Sequence, residues 1–295
     1  MHDDCLRDWV ALDEPCLPAT DLYVNALAGV SVEGMEASAD GEQIHYPGVW
    51  RAVQTAAFAR FRCDVSAAFG HCFLTALFHE PVWVGKPARR PLPPQSLVRG
   101  LRFRVACGRY ARIYVRSVSV HLLQAAVLTL RLSDSTHNVE IELAATAGKN
   151  VLRVEKAFLP DLEIGYDASE VYAEGGPVGR EDAVGFEQDN EAALDECFGL
   201  SVEYELRCDF DLWLCSMRDA LRTPLWYLLG AETLRRRWAS DRFNRFTTLD
   251  RENLQALTAQ YEARYEQSLK TACRSIRLPD DPCFCFDPPV QYRYL

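Results

Sequence analysis

Phe243-Asn244-Arg245-Phe246-Thr247-Thr248-Leu249-Asp250, a turn set inside a helical run over residues 209–276, is the stretch around which the chain is organised. Before it, a helix predicted to open at Thr223-Pro224 carries Leu225, Leu228, Leu229 and Leu234. After it, a second helix carries Leu254, Leu257, Tyr261, Tyr265, Leu269, Ala272 and Ile276. Steps of three and four place these residues on one face of each helix. Phe243 and Phe246 are expected to pin the turn into the helical core. Thr247 and Thr248, with Asp250 and Glu252 close behind, suit a helix start.

The same period occurs far upstream. Pro47 stands at a favourable first helical position, and Trp50, Val53, Ala57, Phe61, Val65 and Phe69 predict a helix over 49–69. A single amphipathic helix cannot bury its own apolar face, so this one needs the C-terminal pair. A short helix is expected over 32–39. Residues 80–97 contain Pro81, Pro87, Pro91, Pro93 and Pro94, a linker composition.

From there the period falls to two. Apolar and polar residues alternate over 101–105, 113–120, 127–132, 139–143, 151–154 and 162–166, divided by Gly108-Arg109, Ser133-Asp134-Ser135 and Gly148-Lys149-Asn150. Short strands at this spacing indicate an antiparallel β-sandwich. Residues 173–198, with Gly175-Gly176-Pro177 and an acidic run, are read as a second linker or loop; Val202, Tyr204 and Leu206 then mark one more strand. The fold class expected is α+β: a discontinuous helical bundle from 20–78 and 208–278, an inserted jelly-roll-like sandwich over 95–172, and terminal arms at 1–20 and 279–295.

The 295 residues are 48% hydrophobic and 25% charged, the balance of an ordinary globular protein. A formal net charge of -10 argues against nucleic-acid affinity over the whole surface. No apolar run reaches the roughly 20 residues of a membrane span. The acidic start Met1-His2-Asp3-Asp4 is unlike a signal peptide, so a chain assembled in the cytoplasm is expected.

Eleven cysteines, without such a leader, are expected to be free thiols and not a disulfide framework. Cys5, Cys16, Cys283 and Cys285 would make one zinc site if the termini met. Neither spacing is a zinc knuckle, so arms packed by Trp9, Phe284 and Phe286 are the preferred reading, with no metal and no cofactor.

Residue chemistry offers no catalytic constellation. The histidines form no metal-binding pair, and the phosphate-loop, nucleophile-elbow and dinucleotide motifs are missing from the sequence. His71 beside Cys72 reads as a helix C-terminus. Glu140 and Glu142 alternate with Val139, Ile141 and Leu143, which puts both on one solvated strand face where nothing separates their pKa values. Arg235, Arg236, Arg237, Trp238, Arg242 and Arg245 form the strongest basic cluster, read as a salt-bridged turn with subunit contact as the rival role.

Three segments together carry a resemblance: Asp21-Leu22-Tyr23-Val24-Asn25-Ala26-Leu27-Ala28-Gly29-Val30-Ser31, Pro47-Gly48-Val49-Trp50-Arg51-Ala52-Val53-Gln54, and Asn244-Arg245-Phe246-Thr247-Thr248-Leu249-Asp250. With the cysteines near both ends, they resemble an uncharacterised family encoded among the structural genes of tailed bacteriophages and prophages. The helical part is similar in outline to head-tail connector, or adaptor, proteins. The resemblance implies a non-enzymatic virion protein, assembled in the host cytoplasm, that forms a homo-oligomeric ring at the neck and docks to portal or tail proteins. The alternative is a tail-associated module that binds a glycan receptor through the sandwich, for which Tyr110, Tyr114 and Tyr166 are the candidate exposed aromatics.

Overall fold

The computed structural model describes residues 4–12, 22–38, 45–77, 81–105, 107–188, 190–240 and 248–285. Both helices and antiparallel sheets are present, so the chain is α+β. It divides into two compact units, 1–72 with 210–279, and 73–209 with 280–295.

The first unit is helical: α1 (Asp4–Arg7), α2 (Val32–Ala37), α3 (Tyr46–Phe69), α4 (Phe210–Ser216), α5 (Arg218–Ala239) and α6 (Thr248–Ser275). Val49, Val53, Ala57, Phe61, Val65 and Phe69 form the buried stripe of α3. Val49 leads that stripe, and Trp50 is half-buried. Helix α5 opens at Arg218, so Pro224 lies inside it and not at its start. Pro224 withholds one backbone donor but is itself buried, and that burial offsets part of the cost. On α6, Leu254, Tyr261, Tyr265 and Ala272 are buried, whereas Leu257, Leu269 and Ile276 are half-exposed.

The segment around residues 22–30 is fastened to the two long C-terminal helices. Trp226 Nε1 donates to the Tyr23 carbonyl at 2.8 Å, and the Tyr261 hydroxyl donates to the Ala28 carbonyl at 3.0 Å. Gly230, midway along α5, leaves the space that the Leu27 side chain occupies. Charges join the three long helices as well. Arg60 of α3 forks onto both Glu262 oxygens of α6 at 2.9 and 2.7 Å, while Arg235 of α5 bridges Glu232 and Glu262. The Tyr265 hydroxyl donates to Asp64 at 2.6 Å.

Trp9 packs edge-on against Phe61 at 6.2 Å, and Cys5 is disulfide-bonded to Cys215. Trp9 and Phe284, two of the side chains expected to pack the terminal arms, are both buried. Phe284 meets Phe73 and Tyr110 in the other unit, and Phe286 lies outside the described residues.

The second unit holds β1 (Val82–Val84), β2 (Arg90–Leu92), β3 (Val98–Phe103), β4 (Ala111–Leu122), β5 (Ala126–Ser133), β6 (Asn138–Ala145), β7 (Gly148–Phe158), β8 (Glu163–Asp167), β9 (Ala173–Gly175), β10 (Ala183–Glu187), β11 (Asn190–Leu194) and β12 (Leu200–Cys208). They form two six-stranded antiparallel sheets, ordered β1-β12-β4-β9-β2 with β7 also on β4, and β11-β10-β3-β8-β5-β6. Phe103 of one sheet meets Tyr204 of the other edge-on at 5.2 Å, and the buried Tyr166 hydroxyl donates to the Phe198 carbonyl at 2.7 Å.

Neither expected linker is one. Residues 80–97 contribute β1 and β2, and 173–198 contribute β9, β10 and β11. The two stretches bond to each other: Gly85 N to Val178 O, Lys86 N to Pro177 O, Ala88 N to Gly175 O, and Leu92 registers opposite Ala173. Pro91 is tolerated because β2 is an edge strand. A Cβ at Gly176 would collide with the Lys86 carbonyl, so this glycine allows the approach. Buried Arg99 completes the tie by donating to the Pro93 carbonyl at 2.9 Å and to Gln95 at 2.5 Å.

The β5–β6 turn is built on Asp134, whose carboxylate accepts the backbone N–H groups of Thr136, His137 and Leu159 at 2.6–2.7 Å. Burial works to raise its pKa, but these bonds prevail and hold it at about 2. Asp134→Ala is expected to cost about 2 kcal/mol in urea unfolding, because three donors lose their acceptor. A carboxyl with a depressed pKa stabilises the fold above its unfolded value, about 3.9, and that share is lost as pH falls towards 2. The variant should therefore lose less stability than the parent over that acid range.

Candidate functional site

The expectation of free thiols fails for four of the cysteines. Cys5–Cys215 and Cys208–Cys283 are disulfides, which leaves Cys63, Cys72, Cys107, Cys197, Cys273 and Cys285 as thiols among the described residues. The spacing of Cys5 and Cys283 carried no signal for this, since their partners lie 210 and 75 residues away. The four-cysteine zinc site falls with it, because a sulfur in a disulfide has no thiolate to offer a metal. Cys285 is half-buried and Cys16 lies outside the described residues. Among the described residues no group of three or more His, Cys, Asp or Glu side chains is placed to hold a metal ion.

The described members of the basic cluster are engaged within the helical unit or half-buried. Arg235 is engaged by Glu232 and Glu262, and Arg237 donates to the Gly29 carbonyl at 3.1 Å. Arg236 and Trp238 are half-buried, with the Arg251 guanidinium 5.9 Å from the Trp238 ring. Arg242 and Arg245, with most of the turn that organised the sequence reading, lie outside the described residues. His71 is exposed and Cys72 half-buried just past α3. Glu140 and Glu142 are both exposed on β6, and Glu140 pairs with Arg131 across to β5 at 3.2 Å.

Of the aromatic candidates, Tyr110 and Tyr166 are buried in the β unit and Tyr114 alone faces outward, half-exposed. It lies on the outer face of the β1-β12-β4-β7 sheet, where a hollow of about 530 Å³ opens. The hollow has a local cause. On β4, Ala111, Ile113 and Val115 are buried, then Val118, Val120 and Leu122, so inward parity changes midway. Arg116 is the extra residue, since Tyr204 of β12 registers with Val115 and Glu203 with Ser117. The β7 side answers with its own surplus, Lys156 opposite Val115 and Arg153 opposite Ser117. A bulge of this kind re-aims side chains, and here consecutive Arg116 and Ser117 both line the hollow.

Around that bulge the groups are laid out strand by strand. Ser117 donates to Glu203 at 2.9 Å. Arg116 donates to Glu205 at 2.7 Å, and Arg207 pairs with the same carboxylate while lying 3.5 Å over the Tyr114 ring. Burial opposes ionisation of Glu205, but the two guanidiniums hold its pKa below the ordinary range. Trp83, opposite Glu203 on β1, is 43% exposed, and Lys149 stands 5.5 Å from its ring. Trp83 lies in a stretch whose proline content reads as a linker, and the alternating Val82-Trp83-Val84 is the sequence signal for it.

Comparison with protein-family models, with curated proteins and with solved structures finds no match to this chain. Among the described residues no helix is long and apolar enough to cross a membrane.

Proposed function

We infer that the chain is a non-enzymatic structural protein of a tailed-phage virion, a neck or head-tail connector subunit that associates with copies of itself and docks to portal or tail proteins. The three resembling segments supply the class. The structural observation that carries the association is the C-terminal half of α6. It leaves a groove of about 510 Å³ against α3, lined by Asp64, Tyr265, Leu269 and Cys273. A second groove, of about 530 Å³, lies against α5 and is lined by Pro224, Tyr227, Ser268 and Ala272. Different surfaces on the two flanks of one helix suit a head-to-tail contact, the kind that closes into a ring.

Native mass spectrometry of the full chain, alone and with the particle's portal complex, tests this together with cryo-electron microscopy of the particle. Rings on the portal, and their loss in Leu269→Glu with the melting temperature kept, are the expected outcome. A chain that stays monomeric with the portal and is missing from the particle would overturn it.

A further inference from the structure

The hollow on the β1-β12-β4-β7 face has features that packing of the β unit does not require. A solvated sheet face usually pairs its charges across strands. Here Arg153 and Glu155, neighbours on β7, have no ion-pair partner among the described residues, although both line the hollow. Glu155 also holds φ at 51°, a left-handed conformation that is uncommon for a residue other than glycine. Trp83 exposes a large flat ring beside them.

We propose that this hollow binds an acidic saccharide. Arg116 and Arg207 are already engaged by Glu205, which leaves Arg153 as the lining cation open to a ligand, with Lys149 set against the Trp83 ring. The Arg153 fork matches a sugar carboxylate in a bidentate pair. Glu203 and Glu155 present acceptors to sugar hydroxyls, with Ser117 donating to Glu203 from the neighbouring strand. Trp83 offers its indole face to the C–H face of a pyranose ring, displacing Lys149 towards the carboxylate. Tyr114 does not stack, because Arg207 covers its ring; the pair forms one wall. The volume suits one or two sugar rings. This site is independent of the ring reading, since it lies wholly in the β unit.

Saturation-transfer NMR and calorimetry on the full chain would be run with sialyllactose and trigalacturonate as acidic probes, lactose as the neutral control and hexaglutamate as an acidic peptide. The expected result is a dissociation constant on the order of 1 mM for at least one acidic sugar, with lactose about tenfold weaker or silent. Trp83→Ala and Arg153→Ala each weaken that binding by about tenfold or more with melting unchanged. Glu155→Gly weakens binding while raising the melting temperature, because glycine accepts the positive φ without strain. No transfer to either acidic sugar, binding untouched in Trp83→Ala and Arg153→Ala, or a preference for hexaglutamate would each overturn the assignment.

Discussion

Cys208→Ser is expected to destabilise the β unit by about 4 kcal/mol, because the Cys208–Cys283 bond closes a separation of 75 residues that the unfolded chain would otherwise explore freely. For a unit of this size the melting temperature should fall by roughly 10 °C. The effect should extend to the C-terminal segment that the bond holds. Asp281 accepts the backbone N–H groups of Arg109 at 2.7 Å and Cys283 at 2.9 Å, and Leu74 N donates to the Cys283 carbonyl at 2.9 Å. Those bonds lose their anchor once the sulfurs part. Calorimetry with and without reductant, on parent and variant, is the direct measurement. Alkylation of the denatured, unreduced chain followed by peptide mass analysis should find Cys5, Cys215, Cys208 and Cys283 unmodified. Full alkylation, with melting insensitive to reductant, would refute both disulfides.

Glu262→Gln is the second large effect, expected to cost about 3 kcal/mol in the helical unit. Glu262 is the shared acceptor of Arg60 and Arg235, and removing its charge leaves two guanidiniums side by side with only Glu232 and Asp64 to balance them. A fully buried network would lose more, and partial exposure of the arginines brings the figure down. The pH dependence has a definite sign. Hydrogen bonding from Arg60, working against burial, lowers the Glu262 pKa from the ordinary glutamate value. Its contribution is therefore present above about 4.3 and is lost as pH falls below that. The gap in urea stability between parent and variant should be full at pH 7 and shrink on acidification. A constant gap across that range would mean the carboxylate charge is not what joins the helices.

Elements with a strong internal period were legible in the sequence. The stripe from Val53 to Phe69 on α3 and the alternation along β5 and β6 are each long enough to show their spacing within one element. The strands that sequence period does not announce are three to five residues long, and two of them contain Pro91 or Gly175. The β2–β9 and β3–β10 pairs join residues about 80 apart and β1–β12 pairs over a longer span still, so no local pattern announces them; β10–β11 alone is a local hairpin among these. Glu262 shows the same limit for charges. In sequence it is one acid among several on its helix, and only the packing of α3 and α5 brings Arg60 and Arg235 to it.

The sequence by itself determined that this is an α+β chain, with helix-forming segments at both ends and strands between, because period 3.6 and period 2 are written into consecutive residues. Only the tertiary structure decided which cysteines pair, which Pro- and Gly-rich stretches are strands, and where an outward face gathers Trp83, Glu203, Ser117 and Arg153 into one cross-strand row. The disulfides depend on how distant segments pack, and the strands and the outward row on register between distant strands and on a single extra residue at Arg116. Long-range pairing sets both, and consecutive residues do not encode it.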